Sequence, residues 1–317
     1  MLRKPRSWRG FLVFRHPVGM SKHGSFALLF PGQGSESLGM SSGWEASAAW
    51  SETIQAAEIR RHYELRRWMA EGPLEQLRAQ RHAPYAVVAH SVGVYRARRA
   101  QGMPLPAVAT GHSLGFYSAL VAAGVAPLEA ALDIIDAVED VCEARFGAGK
   151  QGMAFFIGLS EGELRAALLE FPELALSNLN GKAQFTVSGP RGDLDRLLER
   201  HGSQALKAGL LPVQHPLHGL HMVPLLPEIF RRLAHWKPQE PAFPLISHTD
   251  GRVLATAAQV WDEALVSVSL PVCWLPVMRT LRECSDHAFE CGHGQQLANL
   301  ARWADRGYRV QSLSLAG

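Results

Sequence analysis

The residue that most clearly suggests chemistry is a serine between two glycines, in Gly111-His-Ser-Leu-Gly115. The apolar run Ala107–Thr110 before it predicts a short strand, and the Ala- and Leu-rich stretch that ends at Gly124 predicts a helix after it. Gly-x-Ser-x-Gly between a strand and a helix is typical of a nucleophile elbow, because bulkier neighbours would clash in the sharp turn. Such a turn lifts the Ser113 hydroxyl to a helix N-terminus, where backbone N–H groups can stabilise an oxyanion. The alternative interpretation is a tight helix start with a buried serine cap.

Three of the fourteen histidines cluster at His215, His218 and His221 and are candidates for the base that such a serine needs. A serine hydroxyl is a weak nucleophile near neutral pH, and imidazole has an ordinary pKa suited to accepting its proton. The spacing of these histidines could also indicate a metal site. However, the cluster contains no Asp or Glu, and Pro216 and Gly219 interrupt any helical face. We therefore expect no metal and interpret His215 and His221 as polar loop residues.

The order of predicted elements favours an α/β fold that carries a small inserted sheet. Phe26–Phe30 predicts a buried strand running into a Pro- and Gly-containing loop. From Met153 the pattern becomes strand, helix, strand, strand, helix, with a capping box from Ser160 to Glu163 and a hairpin turn at Asn180-Gly181. This order predicts a small antiparallel sheet covered by two helices.

These patterns divide the chain into a core, an insert and an N-terminal extension. We assign residues 25–150 and 214–317 to the α/β core and residues 151–213 to the small subdomain. Residues 1–24 are expected to be disordered or to reflect a mis-assigned start, since the first nineteen residues contain five Arg or Lys, no Asp or Glu, and are followed by Met20. A basic targeting arm is the competing interpretation.

The composition excludes several classes of protein. With 317 residues, 47% hydrophobic and 19% charged, the chain is typical of a folded soluble protein and not of a disordered one. No apolar run approaches the ~20 residues of a membrane span, and the four cysteines form no CxxC pair. We expect a cytoplasmic protein with reduced thiols and no membrane association. The formal net charge of +3 comes from the basic N-terminal segment, and no basic and aromatic array indicates nucleic-acid binding.

Four motifs together resemble, in order and spacing, the malonyl-CoA:acyl-carrier-protein transacylases and the acyltransferase domains of polyketide synthases. They are Phe30-Pro-Gly-Gln-Gly-Ser35, Gly111-His-Ser-Leu-Gly115 with Tyr117-Ser-Ala-Leu120, Pro216-Leu-His218, and Gly292-His-Gly294. The resemblance covers residues 25–310. It implies an α/β-hydrolase-like core with an inserted ferredoxin-like subdomain.

The resemblance also implies roles for individual residues. Ser113 would be the nucleophile, His218 the general base oriented by a backbone carbonyl, and Gln33 with the backbone N–H of Leu114 the oxyanion site. The implied reaction is ping-pong: an acyl-CoA or another acyl thioester acylates Ser113, and a phosphopantetheine thiol on an acyl carrier protein removes the acyl group. No metal or redox cofactor is implied.

The sequence departs from this family at the position that binds a free carboxylate. Malonyl-using members hold that carboxylate with an arginine on the helix after the elbow, and the corresponding residue here is Val138. Arg145 is the nearest arginine along the chain, about two helical turns further on. The elbow is followed by Phe116 where the family usually has Glu or Gln. Val138 and Phe116 together predict an apolar acyl pocket and a substrate other than malonyl.

Other functions remain open at the level of the sequence. Ordinary malonyl loading is the first alternative. An editing hydrolase would form the same acyl-Ser113 and release it to water. A subunit that only docks carrier proteins would have lost the chemistry, and a generic esterase would need neither Gln33 nor the small subdomain.

Overall fold

The computed structural model describes residues 24–313, so the predicted N-terminal extension, apart from Gly24, lies outside the described residues. The strands are β1 Phe26–Phe30, β2 Val108–Gly111, β3 Gln151–Ile157, β4 Ala175–Gly181, β5 Gln184–Pro190, β6 Lys207–Leu210, β7 Leu245–Ile246, β8 Val253–Leu254, β9 Val272–Cys273, β10 His287–Glu290 and β11 Arg309–Ser312. The helices are α1 Ala48–Arg61, α2 Leu65–Ala70, α3 Leu74–Leu77, α4 His82–Ala100, α5 Gly115–Ala122, α6 Leu128–Phe146, α7 Glu161–Leu168, α8 Arg191–His201, α9 Leu226–Leu233, α10 Ala257–Val266, α11 Trp274–Cys284 and α12 Gln296–Ala304. Short 3-10 turns cover Gly202–Gln204, Leu220–Leu225 and Ser267–Ser269. None of the helices in this described part combines the length and the apolar character needed to cross a membrane.

A six-stranded sheet in the order β11-β10-β1-β2-β7-β8 forms the centre of the core. Its neighbouring strands are parallel except for the pair β7 and β8. Strands β1 and β2 are paired in register up to Phe30 and Gly111, their last residues. Because parallel strands end at the same edge of a sheet, the loop after β1 and the turn after β2 emerge side by side. The sheet thus brings Gln33 and Ser113 to one edge.

Strand β1 is buried on both faces, as expected for a parallel strand covered by helices on each side. Phe26, Leu28 and Phe30 belong to the larger apolar cluster, with α4, α5 and α6. Ala27 and Leu29 point to the opposite face and pack in a second cluster with residues of α11 and α12. The alternation is the period of two expected of a strand. The edge of the sheet that carries Gln33 and Ser113 therefore belongs to a sheet packed by helices on both faces.

The small sheet has the order β6-β3-β5-β4-β9. Strands β3 to β6 alternate with α7 and α8 in the sequence β-α-β-β-α-β, which is a ferredoxin-like arrangement. The predicted capping box is present, with Ser160 and Glu163 bonded reciprocally. The predicted fold class, an α/β-hydrolase-like core with an inserted ferredoxin-like subdomain, is confirmed. The domain boundaries that we assigned stay predictions.

Two features of the small sheet differ from the sequence prediction. Asn180-Gly181 is not the hairpin turn: β4 continues through Gly181, which pairs with Gln184, so the turn lies at residues 182–183. The reason is a tertiary contact, because Asn180 Oδ1 lies 2.7 Å from His112 Nε2 of the elbow. In addition, β9 comes from the part of the chain that we assigned to the core, and it pairs parallel to β4.

The elbow is packed so closely that its glycines have no room for a side chain. A Cβ atom at Gly115 would lie 2.0 Å from the carbonyl oxygen of Phe30. A Cβ atom at Gly111 would lie 2.0 Å from the carbonyl carbon of Gly115. In both cases the obstacle is backbone, which cannot rotate away as a side chain can. The two glycines of the motif thus allow α5 to approach the end of β1.

We predict that Gly115→Ala destabilises the protein by about 1–3 kcal/mol or more, because the methyl group must push the helix away from β1. In differential scanning calorimetry this should lower Tm by roughly 5 °C. Gly162→Ala in α7 is the matched control, since a Cβ there meets no atom within 4 Å. Alanine favours helix over glycine, so the control should melt at or slightly above the wild-type temperature. Equal Tm values for the two variants would contradict the packing argument.

Candidate active site

Ser113 occupies a strained backbone position at the end of β2. Its φ is +53°, in the left-handed region that non-glycine residues rarely adopt. Strain of this kind persists only where the surroundings hold it, and here it directs the side chain out of the turn between β2 and α5. Ser113 Oγ lies 2.7 Å from His218 Nε2. The turn thus brings together the two residues for which the motifs predicted catalytic roles.

The orientation of His218 follows from the groups on the other side of its ring. Nδ1 lies 2.8 Å from the carbonyl oxygen of Ser267 and 3.1 Å from that of Leu270. A carbonyl oxygen only accepts hydrogen bonds, so Nδ1 must be the nitrogen that carries the proton. Nε2 of the neutral ring then presents its lone pair to the Ser113 hydroxyl. The backbone N–H of His218 also donates to the Val268 carbonyl at 2.7 Å, which fixes the main chain beside the ring.

Burial keeps this imidazole neutral. Desolvation, together with a smaller effect of the nearby His112, lowers the pKa of His218 to about 4. The hydrogen bonds to the carbonyls of Ser267 and Leu270 act in the opposite direction, because they favour the protonated ring. Desolvation is the largest of these effects. At neutral pH the ring can therefore accept a proton from Ser113.

Gln33 and Leu114, the residues predicted for an oxyanion site, line the same cavity as Ser113 and His218. Leu114 is the N-cap residue just before α5, so its N–H has no partner within the helix. The loop that carries Gln33 is held from within, because the Gly34 N–H donates to Glu36 Oε2 at 2.7 Å. Burial raises the pKa of the Glu36 carboxyl, which is enclosed in this loop.

A cavity of about 50 Å³ opens beside Ser113. Its apolar wall consists of Pro84, Tyr117, Ile135, Val138, Leu217 and Val268. Since one water occupies at least about 10–15 Å³ on this measure, the space suits a group of a few heavy atoms. Among the described residues, no Lys or Arg lines it. Arg145 is exposed near the end of α6 and is not part of the wall.

Val138 lies where an acyl-pocket residue was predicted, but Phe116 does not. Phe116 is fully buried, and its ring packs against His248 with centroids 4.9 Å apart. Its neighbour Tyr117, about 100° further round α5, takes the place in the cavity wall. Phe116 therefore does not line this cavity, because the helix turns its side chain into the core, and its role in an acyl pocket stays a prediction.

The sequence analysis missed a polar cluster at this cavity. Glu139, which follows Val138 on α6, lines the cavity and is only 7% exposed. Its Oε2 lies 2.7 Å from Gln80 Nε2 and 2.9 Å from His215 Nε2. His215, which we interpreted as a polar loop residue, is buried at 2% exposure. The signal available in the sequence was the adjacency of Glu139 to Val138, but a glutamate on a helix rich in Asp and Glu is usually solvated.

The remaining histidine of the cluster, His221, has no place in the cavity wall and contacts the Glu173 carbonyl. No group of three or more His, Cys, Asp or Glu in residues 24–313 could hold a metal ion. The arrangement comprises a hydroxyl, a neutral imidazole aligned with it, and backbone and amide donors beside a small cavity. Such groups can perform nucleophilic acyl transfer without further components.

Comparison with known proteins agrees with this chemistry. The family model of the acyl transferase domain matches residues 27–290. The malonyl CoA-acyl carrier protein transacylase of Salmonella typhimurium is 30% identical over 287 residues, which are 87% of this chain and 92% of the relative. The solved structure of the malonyl CoA-acyl carrier protein transacylase from Coxiella burnetii superposes with a TM-score of 0.84 at 29% identity, covering 92% of this chain and 94% of that one.

A second solved structure contains a malonyl-transacylase in complex with its type II polyketide synthase acyl carrier protein. It is 26% identical to this chain, has a TM-score of 0.84, and covers 91% of this chain and 95% of that one. Since the family model spans most of the sequence and the Salmonella relative is covered almost entirely, the chain belongs to the acyl transferase domain family, with the malonyl-CoA:acyl-carrier-protein transacylases, and is an acyltransferase.

Proposed function

We propose that the protein transfers a short acyl group without a free carboxylate from coenzyme A, or from a carrier-protein thioester, to an acyl carrier protein through an acyl-Ser113 intermediate. The observation that carries the proposal is the 2.7 Å contact between Ser113 Oγ and His218 Nε2 in a cavity whose described lining contains no Lys or Arg. Relatives named for malonyl transfer support the reaction type, and the lack of Lys and Arg in the described cavity lining supports a substrate other than malonyl.

In the first half-reaction Ser113 Oγ attacks the thioester carbonyl while His218 Nε2 takes the hydroxyl proton. Negative charge develops on the carbonyl oxygen, where Gln33 and the Leu114 N–H would donate hydrogen bonds. The carbon–sulfur bond then breaks, and the imidazolium returns its proton to the leaving thiolate. The carbonyls of Ser267 and Leu270, which accept from Nδ1, stabilise the ring while it is positively charged.

In the second half-reaction the same groups act in reverse. A phosphopantetheine thiol on the carrier protein gives its proton to His218 Nε2, and its sulfur attacks the ester carbonyl of acyl-Ser113. The ester bond breaks, and Ser113 recovers its proton from the imidazolium. The complex of a related transacylase with its acyl carrier protein supports the assignment of a carrier as acceptor.

The cavity disfavours malonyl for two reasons. Counted from Ser113 without a gap, Val138 falls at the position of the family's carboxylate-binding arginine, and it lines the cavity, so a malonyl carboxylate would lose its ion pair. In addition, Glu139 lines the same cavity, and two carboxylates in a confined space repel each other. A short acyl group with no negative charge avoids both costs and fits the available volume.

We predict that Ser113→Ala abolishes acyl-enzyme formation and lowers the transfer rate by about 10³-fold or more, because the nucleophile is removed. Intact-protein mass spectrometry after incubation with acetyl-CoA measures the adduct, and transfer to a holo carrier protein measures the rate. Ser118→Ala is the matched control: Ser118 lies on the same helix, buried, and its hydroxyl has no hydrogen-bond partner among the described residues. Labelling of Ser113→Ala to the wild-type extent would refute the proposed nucleophile.

We predict that the wild-type protein loads acetyl or propionyl at least about 10-fold faster than malonyl, since a charged hydrogen bond of the missing kind contributes about 1.5–3 kcal/mol. Val138→Arg should reduce that ratio, because it supplies a guanidinium at the cavity wall. Val138→Met, which adds length without charge, should not. Rates of Ser113 acylation with each acyl-CoA decide the matter, and faster malonyl loading by the wild type would overturn the proposed substrate class.

We predict that Ser113 acylation stays close to its maximal rate down to about pH 5.5. The reactive form has neutral His218, and a pKa of about 4 leaves the ring unprotonated there. An ordinary histidine, with a pKa near 6.5, would be only about one-tenth neutral at pH 5.5. Single-turnover acylation from pH 4.5 to 8 tests this, with Tm recorded at each pH to separate acid unfolding. A midpoint near pH 6.5 would contradict the inferred burial of the base.

A further inference from the structure

Glu139 is the one acidic side chain among the described residues that line the catalytic cavity. Its side chain is nine-tenths buried, and Oε2 has the amide of Gln80 and the imidazole of His215 as partners. Oε1 has no hydrogen-bond partner within the described part of the chain. Oε1 is not among the fully enclosed polar atoms that lack a partner, so it keeps some exposure and can accept a hydrogen bond from a group bound in the cavity.

The protein supplies no cation to this carboxylate from within the cavity. Arg81 interacts electrostatically with Glu139, but its guanidinium is bonded to Asp140 and Glu143 and does not line the cavity. His215 Nδ1 is buried and without a partner, and its Nε2 lies 2.9 Å from Glu139 Oε2 and 2.6 Å from Gln80 Nε2. Among the described residues that line the cavity, Glu139 thus has no Lys or Arg as an ion-pair partner.

The chemistry complementary to such a carboxylate is a small cation that donates hydrogen bonds. We propose that Glu139 binds a protonated amine on the acyl group, so that the preferred substrates are short aminoacyl thioesters. This rests on the proposed function, because it names the acyl class loaded on Ser113. The cavity of about 50 Å³ suits an aminoacyl group of three carbons and one nitrogen, and its wall on the other sides is apolar.

The chemical step is unchanged by the amine. The thioester carbon–sulfur bond breaks, the Ser113 Oγ–carbon bond forms, and the proton released by Ser113 passes through His218 to the leaving thiolate. The ammonium group keeps its protons and its charge throughout. Its attraction to Glu139 would act mainly in binding and positioning the acyl group, which makes Glu139 a specificity-determining residue.

Two isosteric pairs of substrates test the proposal with the full-length protein. β-Alanyl-CoA and butyryl-CoA differ only by ammonium for methyl at the end of the chain, and alanyl-CoA and isobutyryl-CoA differ in the same way at the α carbon. We expect the ammonium member of at least one pair to acylate Ser113 about 10- to 100-fold more efficiently, the effect of one hydrogen bond between charged groups. The measurement is kcat/KM for acyl-enzyme formation, by rapid quench and mass spectrometry.

Glu139→Gln keeps the shape of the side chain and removes its charge, so it should abolish or reverse the preference for ammonium over methyl. Glu143→Gln is the matched control, because Glu143 lies on the same helix, is mostly exposed, and pairs with Arg81 outside the cavity. A purely structural role for Glu139 would lower all rates together and leave the ratio within each pair unchanged. If Glu139→Gln does not fold, the wild-type ratios alone decide.

The outcomes separate this inference from the proposed function. Equal or faster loading of butyryl and isobutyryl, with malonyl slow, overturns the role of Glu139 and leaves the acyltransferase proposal intact. A ratio in Glu139→Gln equal to that of the wild type overturns it as well. Preferential loading of malonyl overturns the proposed substrate class itself.

Discussion

The site depends on the alignment of one hydroxyl with one imidazole lone pair. Ser113 Oγ and His218 Nε2 are 2.7 Å apart only because the serine is held at positive φ and the ring is held from behind by two carbonyls. Either support alone would leave a hydroxyl without a base or a base that could rotate to the other tautomer. The surrounding core adds the third condition, since burial excludes the proton that would otherwise occupy Nε2.

The positions of Ser113 and His218 at one site were predictable because a nucleophile elbow requires special local sequence. A turn that admits no Cβ on either side of Ser113 demands glycines, and this demand is visible in the sequence as a motif. The ferredoxin-like insert was predictable for a similar reason, because its strands and helices alternate with clear caps and periodicity. Local constraints of this kind leave a readable pattern.

The features that could not be predicted from the sequence are those that tertiary contacts decide. Phe116 and Tyr117 are neighbours with similar character, and only the placement of α5 decides which one meets the cavity. His215 looks like a loop histidine until α6 brings Glu139 to it. Asn180-Gly181 has the composition of a turn, yet the side chain of Asn180 contacts the elbow and β4 continues through it. In each case a partner distant in sequence overrides the local preference.

The pairing of β9 with β4 has a mechanical consequence. The carbonyls that hold His218 belong to Ser267 and Leu270, a few residues before β9, and Asn180 on β4 contacts His112, the neighbour of Ser113. The small sheet therefore adjoins both the segment that holds His218 and the turn that carries Ser113. A hinge motion that swung this sheet away from the core would pull the His218 ring out of line with Ser113, so the alignment requires the sheet to keep its position against the core. The arm of the carrier protein would then have to deliver the thioester to Ser113 without an opening of the enzyme at this sheet.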